Sequence, residues 1–195
     1  EVSRTAAMLN FLNNQQNRKD HPNENFAREV MELFTLGRGH YTETDIKEAA
    51  RAFTGWGFDM GGSFVFRKQF HDEGQKTVLG TTGPLDGDDV IDILLKQPQT
   101  AQYITQKLYR FFVNEEPDQE VIKTLSKEFY QGGYDIRKLL TAIFSSSWFY
   151  EEKHRGVIIK SPVQLLVGMR RVLPMKFNNE EVQLIYQRLL GQVLF

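Results

Sequence analysis

The sequence has 195 residues, and its 41% hydrophobic and 25% charged residues are typical of a globular domain, which excludes disordered, collagen-like and coiled-coil chains. The 24 lysines and arginines nearly balance the 25 aspartates and glutamates, so a strongly basic nucleic-acid-binding surface is not expected. There is no cysteine, which excludes disulfides, thiol nucleophiles and cysteine-ligated metal sites.

The first third of the sequence predicts three helices, because apolar residues recur there at the three- and four-residue spacing of a helix face. A short helix over 5–12 precedes a polar stretch, and a second helix begins near Asn25. Gly37 is expected to end it in the left-handed conformation that glycine adopts readily. Thr42 and Asp45 resemble a capping box for the third helix. The residues predicted to face inward are Phe26, Val30, Leu33, Phe34, Ile46, Ala49, Ala50 and Phe53.

Residues 58–80 follow the pattern of a strand instead. Phe64, Phe66 and Phe70 lie in one two-residue register, and a turn signal at Asp72-Glu73-Gly74 precedes a second short apolar run at 77–79. We therefore predict one small β-hairpin over 58–80, inserted between helices. Because a two-stranded hairpin is marginally stable alone, its phenylalanine face should pack on the helices.

The second half again predicts helices, each with a polar residue at its start. The expected N-caps are Asp86, Thr100, Asp118, Asp135, Ser161 and, for the last helix, Asn178 or Asn179. Pro162 follows its serine at the first helical position, which proline favours. The helix after Pro162 is apolar nearly all round, which is typical of a buried central helix.

Together these patterns predict a soluble, compact, all-α domain of about seven or eight helices with one small inserted β-hairpin. We expect residues 1–195 to form a single domain. Because the chain begins without an initiator methionine and ends on an apolar segment, we expect it to be a piece of a longer protein. The predicted core comprises Phe26, Val30, Leu33, Phe34, Phe53, Ile104, Leu108, Phe111, Leu166 and Leu173.

Charged residues line the outer face of the second helix, where Arg28, Glu29 and Glu32 share a face. One alternative is a solvated face whose i,i+4 ion pairs contribute about 0.2–0.5 kcal/mol each. A second is a half-buried network with the third helix through Glu48 or Arg51. A third is a pair of carboxylates for acid–base chemistry or metal binding.

The segment around His71 is a second candidate site. A histidine close to acidic and basic residues can act as a general base or a metal ligand. Alternatively, Asp72 starts the turn by bonding its own backbone, and Lys76 pairs with Asp72 across the hairpin. Trp56, in a chain that also has many tyrosines, is either part of a glycan-binding platform or a core residue.

The metal-binding and nucleotide-binding motifs are incomplete. The acidic run at 86–89 lacks the ligand spacing of a calcium loop, and it fits a helix N-terminus, where carboxylates interact favourably with the helix dipole. The sequence contains no His-Glu-x-x-His motif, no phosphate-binding glycine loop and no Gly-x-Ser-x-Gly elbow. We therefore predict neither a metal ligand set nor a cofactor.

Long motifs occur at 23–37, 39–43, 49–56, 71–80, 86–90 and 160–162. Taken together, they resemble a bacterial family catalogued as domain of unknown function 1800, and the resemblance extends over 8–195. It implies a long bacterial protein, commonly exported to the periplasm or the cell exterior and often encoded beside a sulfatase-like protein. It implies no activity.

Since no catalytic constellation is complete, the leading hypothesis is a non-catalytic binding or scaffold module of an exported bacterial protein. The first alternative is a hydrolase acting on a glycan or cell-envelope polymer. Its candidate catalytic residues are Glu29, Glu32, His71 and Asp72, and the candidate binding residues are Arg28, Arg51, Trp56 and Lys76. The second alternative is a metal- or calcium-stabilised structural domain through Asp72, Asp86 and Asp88. No nucleic-acid partner and no transmembrane segment are expected.

Overall fold

Nine α-helices and two short antiparallel sheets make up the part of the chain that the structure, a computed structural model, describes: residues 1–173 and 181–193. The helices are α1 (Ala6–Phe11), α2 (Asn25–Glu32), α3 (Glu43–Ala52), α4 (Gly87–Leu95), α5 (Pro98–Phe112), α6 (Gln119–Gln131), α7 (Ile136–Ser145), α8 (Pro162–Val172) and α9 (Glu181–Leu189). The strands are β1 (Trp56–Phe58), β2 (Phe64–Phe66), β3 (Lys76–Val78) and β4 (Thr81–Gly83). The prediction of a mostly helical fold with a small β insertion is confirmed.

Most helices begin where the sequence predicts, because a polar side chain caps each of them. Thr42 and Asp45 form a capping box at α3, and Asp86 and Asp89 form another at α4. The predicted caps of α6, α7 and α8 are confirmed at Asp118, Asp135 and Ser161. The expected cap of the last helix at Asn178 or Asn179 lies outside the described residues.

Helix α5 begins earlier than predicted. Gln97 is its N-cap and Pro98 its first residue, so the prediction that Thr100 caps this helix is wrong. Proline suits the first position because it has no N–H to leave unpaired and its backbone angle is already helical. The hydroxyl of Thr100 instead donates to the carbonyl of Leu94 at 2.6 Å, which ties α5 to the end of α4.

Two hairpins replace the single one predicted. β2 pairs with β1, with Phe64 opposite Phe58, whereas β3 pairs with β4. The predicted pairing of the phenylalanine strand with residues 77–79 is therefore wrong. Leu79 and Gly80 both have positive φ angles, 47° and 81°, as a tight two-residue hairpin turn requires, so β3 turns back on itself at once.

The first half of the chain packs around an aromatic core. The rings of Phe26 and Phe53 meet edge to face at 4.9 Å, and Phe53 meets Trp56 in the same way at 5.2 Å. Leu33 and Phe34, predicted to lie in this core, are exposed instead. Helix α2 ends at Glu32, so the helical spacing no longer applies beyond it. The buried apolar residues of this region are Phe26, Ala27, Val30, Met31 and Leu36.

A second core forms between α5, α6 and α7. Ala101, Thr105 and Tyr109 form the buried face of α5, at a spacing of four residues. Phe111 lies two residues beyond Tyr109, on the opposite side of the helix, so the prediction that it is buried is wrong. Ile104 and Leu108 are half-buried and pack at the edge of this core.

Helix α8 is not the buried central helix that its composition suggests. None of its residues is buried: Leu166 is half-buried, and the following Leu173 is exposed. Its neighbour is α9. Apolar residues on all sides of a helix indicate that it can be buried, but they do not identify the element that buries it. Within 1–173 and 181–193, no helix is both long and apolar enough to cross a bilayer.

Candidate functional site

Arg28 joins helix α2 to helix α3. Its guanidinium donates to both carboxylate oxygens of Glu43, at 2.8 and 2.6 Å, and to Glu24 at 3.1 Å. The hydrogen bond to Glu43 raises the pKa of Arg28, and the same bond lowers the pKa of Glu43. The expected network between these helices is present, but Glu43 forms it instead of Glu48 or Arg51.

The carboxylate of Glu32 is also held by the protein. Arg38 donates to one oxygen at 2.5 Å, and the hydroxyl of Tyr41 donates to the other at 2.8 Å. These bonds, that of Arg38 first, lower the pKa of Glu32. Burial, together with the bond to Glu32, raises the pKa of Tyr41 to about 12. A carboxylate kept ionised in this way is poorly suited to act as a general acid. Glu29 is half-buried, and within the described residues its carboxylate makes no hydrogen bond or ion pair.

Arg51 connects the end of α3 to the loop after β2. It donates to both carboxylate oxygens of Asp72, at 2.7 and 3.2 Å, to Glu48 at 2.9 Å and to the carbonyl of Gln75 at 3.1 Å. Asp72 also accepts the Gly74 N–H at 2.8 Å, as the predicted turn requires. The bond from Arg51 lowers the pKa of Asp72.

Lys76 is buried beneath the same loop, with 1% of its surface exposed. Its ammonium donates to the backbone carbonyls of Asp72 and Gly74. The expected ion pair between Lys76 and the Asp72 carboxylate is therefore wrong, because Arg51 occupies that carboxylate. Burial lowers the pKa of Lys76.

The imidazole of His71 is fixed by one backbone carbonyl. His71 is 8% exposed, and its Nδ1 lies 2.9 Å from the oxygen of Thr54. Because a carbonyl can only accept, we assign the ring proton to Nδ1. The Thr54 hydroxyl donates to the Arg51 carbonyl at 2.5 Å and accepts the Asp72 N–H at 2.9 Å, so the same residue holds both the ring and the loop.

The other ring nitrogen of His71 remains available. Among the described residues Nε2 has no hydrogen-bond partner. It is not among the fully buried polar atoms that lack a partner, so it is at least partly exposed to solvent. His71 lies at the wall of an open groove of about 690 Å³. The residues that line the groove are Lys19, Asp20, Lys68, Gln69, His71, Asp72 and Glu73. In this tautomer Nε2 carries a lone pair that can accept a hydrogen bond from a ligand.

A polar loop near the N-terminus forms the far wall of the groove. The side-chain amide of Asn14 donates to the Trp56 carbonyl at 3.0 Å, and that of Asn17 donates to the Ala50 carbonyl at 2.9 Å. Beyond them, the Lys19 N–H donates to the Phe70 carbonyl at 2.8 Å. These bonds place Lys19 and Asp20 beside the His71 segment. Neither residue could be predicted from the sequence, because a polar loop has no residue spacing that indicates a site.

The candidate residues from the sequence thus fall into separate places. His71 and Asp72 line the groove, whereas Glu29 and Glu32 do not, and no ion pair joins His71 to either glutamate in the described part of the chain. Trp56 lies in the core with its ring edge to face with Phe53 and Phe64, which favours the core alternative over a glycan platform.

The carboxylates considered for a metal site have other partners. Asp86 caps α4, Asp88 pairs with Arg4, and Asp72 pairs with Arg51. Within residues 1–173 and 181–193, no three histidine, aspartate or glutamate side chains lie close enough together to hold a metal ion.

Fold and groove together define a mostly helical domain with a polar surface groove built around one oriented histidine. The chain belongs to the protein family of unknown function DUF1800, whose sequence model matches residues 1–195. No curated protein and no solved structure matches the chain.

Proposed function

We propose that the chain is a non-catalytic binding module of an exported bacterial protein and that it takes its ligand in the groove above His71. The observation that carries this proposal is the division of polar groups around the groove. The Asp72 carboxylate is occupied by Arg51, while Nε2 of His71 and the side chains of Lys19 and Gln69 have no partner among the described residues. Unpaired side chains such as these can bind a ligand without carrying out a reaction on it.

The family resemblance is the basis for two further parts of this proposal, export and a sulfatase-like partner. A module that holds a polymer on the cell surface is consistent with export.

One observation favours a hydrolase as a second candidate. A histidine whose Nδ1–H is held by a carbonyl and whose Nε2 is open has the tautomer and orientation of a general base. Against this candidate, a glycosidase needs two carboxyl groups flanking the bond to be cleaved. The Asp72 carboxylate is ion-paired with Arg51, and a carboxylate oxygen of Glu73 lies 3.4 Å from the ammonium nitrogen of Lys68. Glu29 and Glu32 lie outside the groove.

The two candidates differ in whether the bound material is changed. The 195-residue chain is incubated with purified bacterial cell envelopes, and both co-sedimentation and the release of reducing ends are followed. His71→Asn is compared with His40→Asn, a change at an exposed loop histidine. We expect sedimentation that His71→Asn weakens and His40→Asn does not, with no release of reducing ends above the buffer rate. Release that depends on His71 would establish the hydrolase instead.

A further inference from the structure

Several polar side chains at the groove have no partner within the described part of the chain. Lys19, Asp20 and Gln69 are exposed, and no hydrogen bond or ion pair of their side chains occurs within the described part of the chain. Together with Nε2 of His71, they provide both donors and acceptors: the ammonium donates, the carboxylate and the imidazole nitrogen accept, and the amide does both.

The charges around the groove nearly cancel. Lys68 lies 3.4 Å from Glu73, Arg51 neutralises Asp72, and Lys19 and Asp20 are neighbours of opposite sign. The lining contains no arginine cluster of the kind that recognises phosphate or sulfate. The electrostatics of the groove therefore give no preference to either an anionic or a cationic ligand.

Every residue that lines the groove also has a polar side chain, which disfavours a peptide ligand. Peptides that bind in extended form need pockets for their alternate side chains, and the lining residues offer no apolar pocket. One exposed apolar surface lies next to His71: the ring of Phe66, which is 44% exposed and meets the His71 ring edge to face at 5.2 Å. A sugar ring combines the same two kinds of surface, with polar hydroxyls around its edge and apolar C–H groups on its faces.

We propose that the ligand is a neutral, hydroxyl-rich glycan chain, an inference that rests on the binding function proposed above. One sugar hydroxyl donates to Nε2 of His71, and others donate to Asp20 and accept from Lys19 and Gln69. A hydroxyl suits these groups because it donates and accepts at once. Phe66 packs against the C–H face of a sugar at the rim.

The test uses three defined probes, maltohexaose, cellopentaose and chitopentaose, each titrated into the isotope-labelled 195-residue chain and followed by nuclear magnetic resonance. We expect at least one probe to shift the backbone amides of the groove and the Nε2 resonance of His71. Lys19→Ala and Gln69→Ala should each weaken binding about five- to tenfold, which is the effect of losing one hydrogen bond.

Two matched variants serve as controls. Lys127→Ala and Gln131→Ala make the same chemical changes on the exposed surface of α6, away from the groove lining. Their affinities should equal that of the unchanged chain. Equal losses in all four variants, or shifts confined to other surfaces, would overturn the inference.

The remaining outcomes separate this inference from the proposed function. If none of the probes shifts groove resonances but envelope sedimentation still depends on His71, the ligand is not a neutral glycan and the binding function stands. If neither experiment depends on His71, both are overturned.

Discussion

The Nδ1–H of His71 donates to the carbonyl oxygen of Thr54 at 2.9 Å, which fixes the imidazole at the wall of the groove. Thr54 lies two residues after the last residue of α3, so the ring takes its orientation from that helix end. The hydroxyl of the same threonine accepts the Asp72 N–H. One residue thus sets both the tautomer of the histidine and the course of the loop beyond it.

Thr54→Val should destabilise the fold while leaving the His71 ring bound to the same carbonyl. The change removes the hydroxyl that accepts the Asp72 N–H and donates to the Arg51 carbonyl. The carbonyl still accepts the Thr54 N–H at 3.3 Å, but the half-buried Asp72 N–H loses its partner, at a cost of about 1–3 kcal/mol. Urea unfolding measures the loss. Thr124→Val, at an exposed position of α6, is the control and should change stability by less than about 0.5 kcal/mol. An equal effect of the two changes would contradict this account.

Asp72→Asn should reduce the sensitivity of the fold to acid. Arg51 lowers the pKa of Asp72 below its ordinary value of 3.8, so the ion pair contributes stability above that pH. This contribution is lost as pH falls through the lower, folded-state pKa. The unchanged chain should therefore lose stability more steeply than Asp72→Asn below about pH 4. Asp92→Asn, an exposed change on α4, should retain the slope of the unchanged chain in urea unfolding at several pH values.

Lys76→Met should remove an increase in stability at alkaline pH. Burial lowers the pKa of Lys76 below 10.5, so between the folded-state pKa and 10.5 the unfolded chain binds more protons. Stability therefore rises with pH across this window. The neutral amine still has two N–H groups, one for each of the carbonyls of Asp72 and Gly74. The unfolding free energy of the unchanged chain minus that of Lys76→Met should increase as pH rises toward 10.5, and a constant difference would refute the assignment.

Gly87→Ala should destabilise the chain although it adds a better helix former. A Cβ at this position would overlap the Trp56 ring and lie 2.7 Å from Phe53, so the aromatic core must shift, at a cost of about 1–3 kcal/mol. Gly168→Ala in α8 meets nothing closer than 3.7 Å and should raise helicity instead. Thermal unfolding followed by circular dichroism should therefore separate the two substitutions by sign.

Features with a local cause could be predicted from the sequence. The capping box of Thr42 and Asp45 and the Asx turn at Asp72 each depend on a few neighbouring residues. Gly37 has the expected left-handed conformation, with a φ of 79°, but the prediction that it ends α2 is wrong, because the helix already ends at Glu32. Strand pairing could not be predicted, because β2 has partners on either side in sequence and the tight turn at Leu79 and Gly80 decides between them.

Features that depend on contacts between distant parts of the chain could not be predicted from the sequence either. The apolar pattern of α8 does not identify the element that packs on it. The helical spacing of Leu33 and Phe34 does not predict burial, because both residues lie beyond the end of α2. In the candidate site, His71 and Asp72 were found from their residue types. Lys19, Asp20 and Gln69 belong to loops, where only the folded chain shows which residues meet.

The backbone bond from Lys19 to Phe70 has a kinetic consequence. The two walls of the groove come from segments far apart in sequence, so the groove exists only while the N-terminal loop stays docked. Opening of that loop alone would abolish ligand affinity without global unfolding, as local openings do in many domains. Amide hydrogen exchange at Lys19 would therefore report how often the groove is intact, and a bound ligand would slow that exchange.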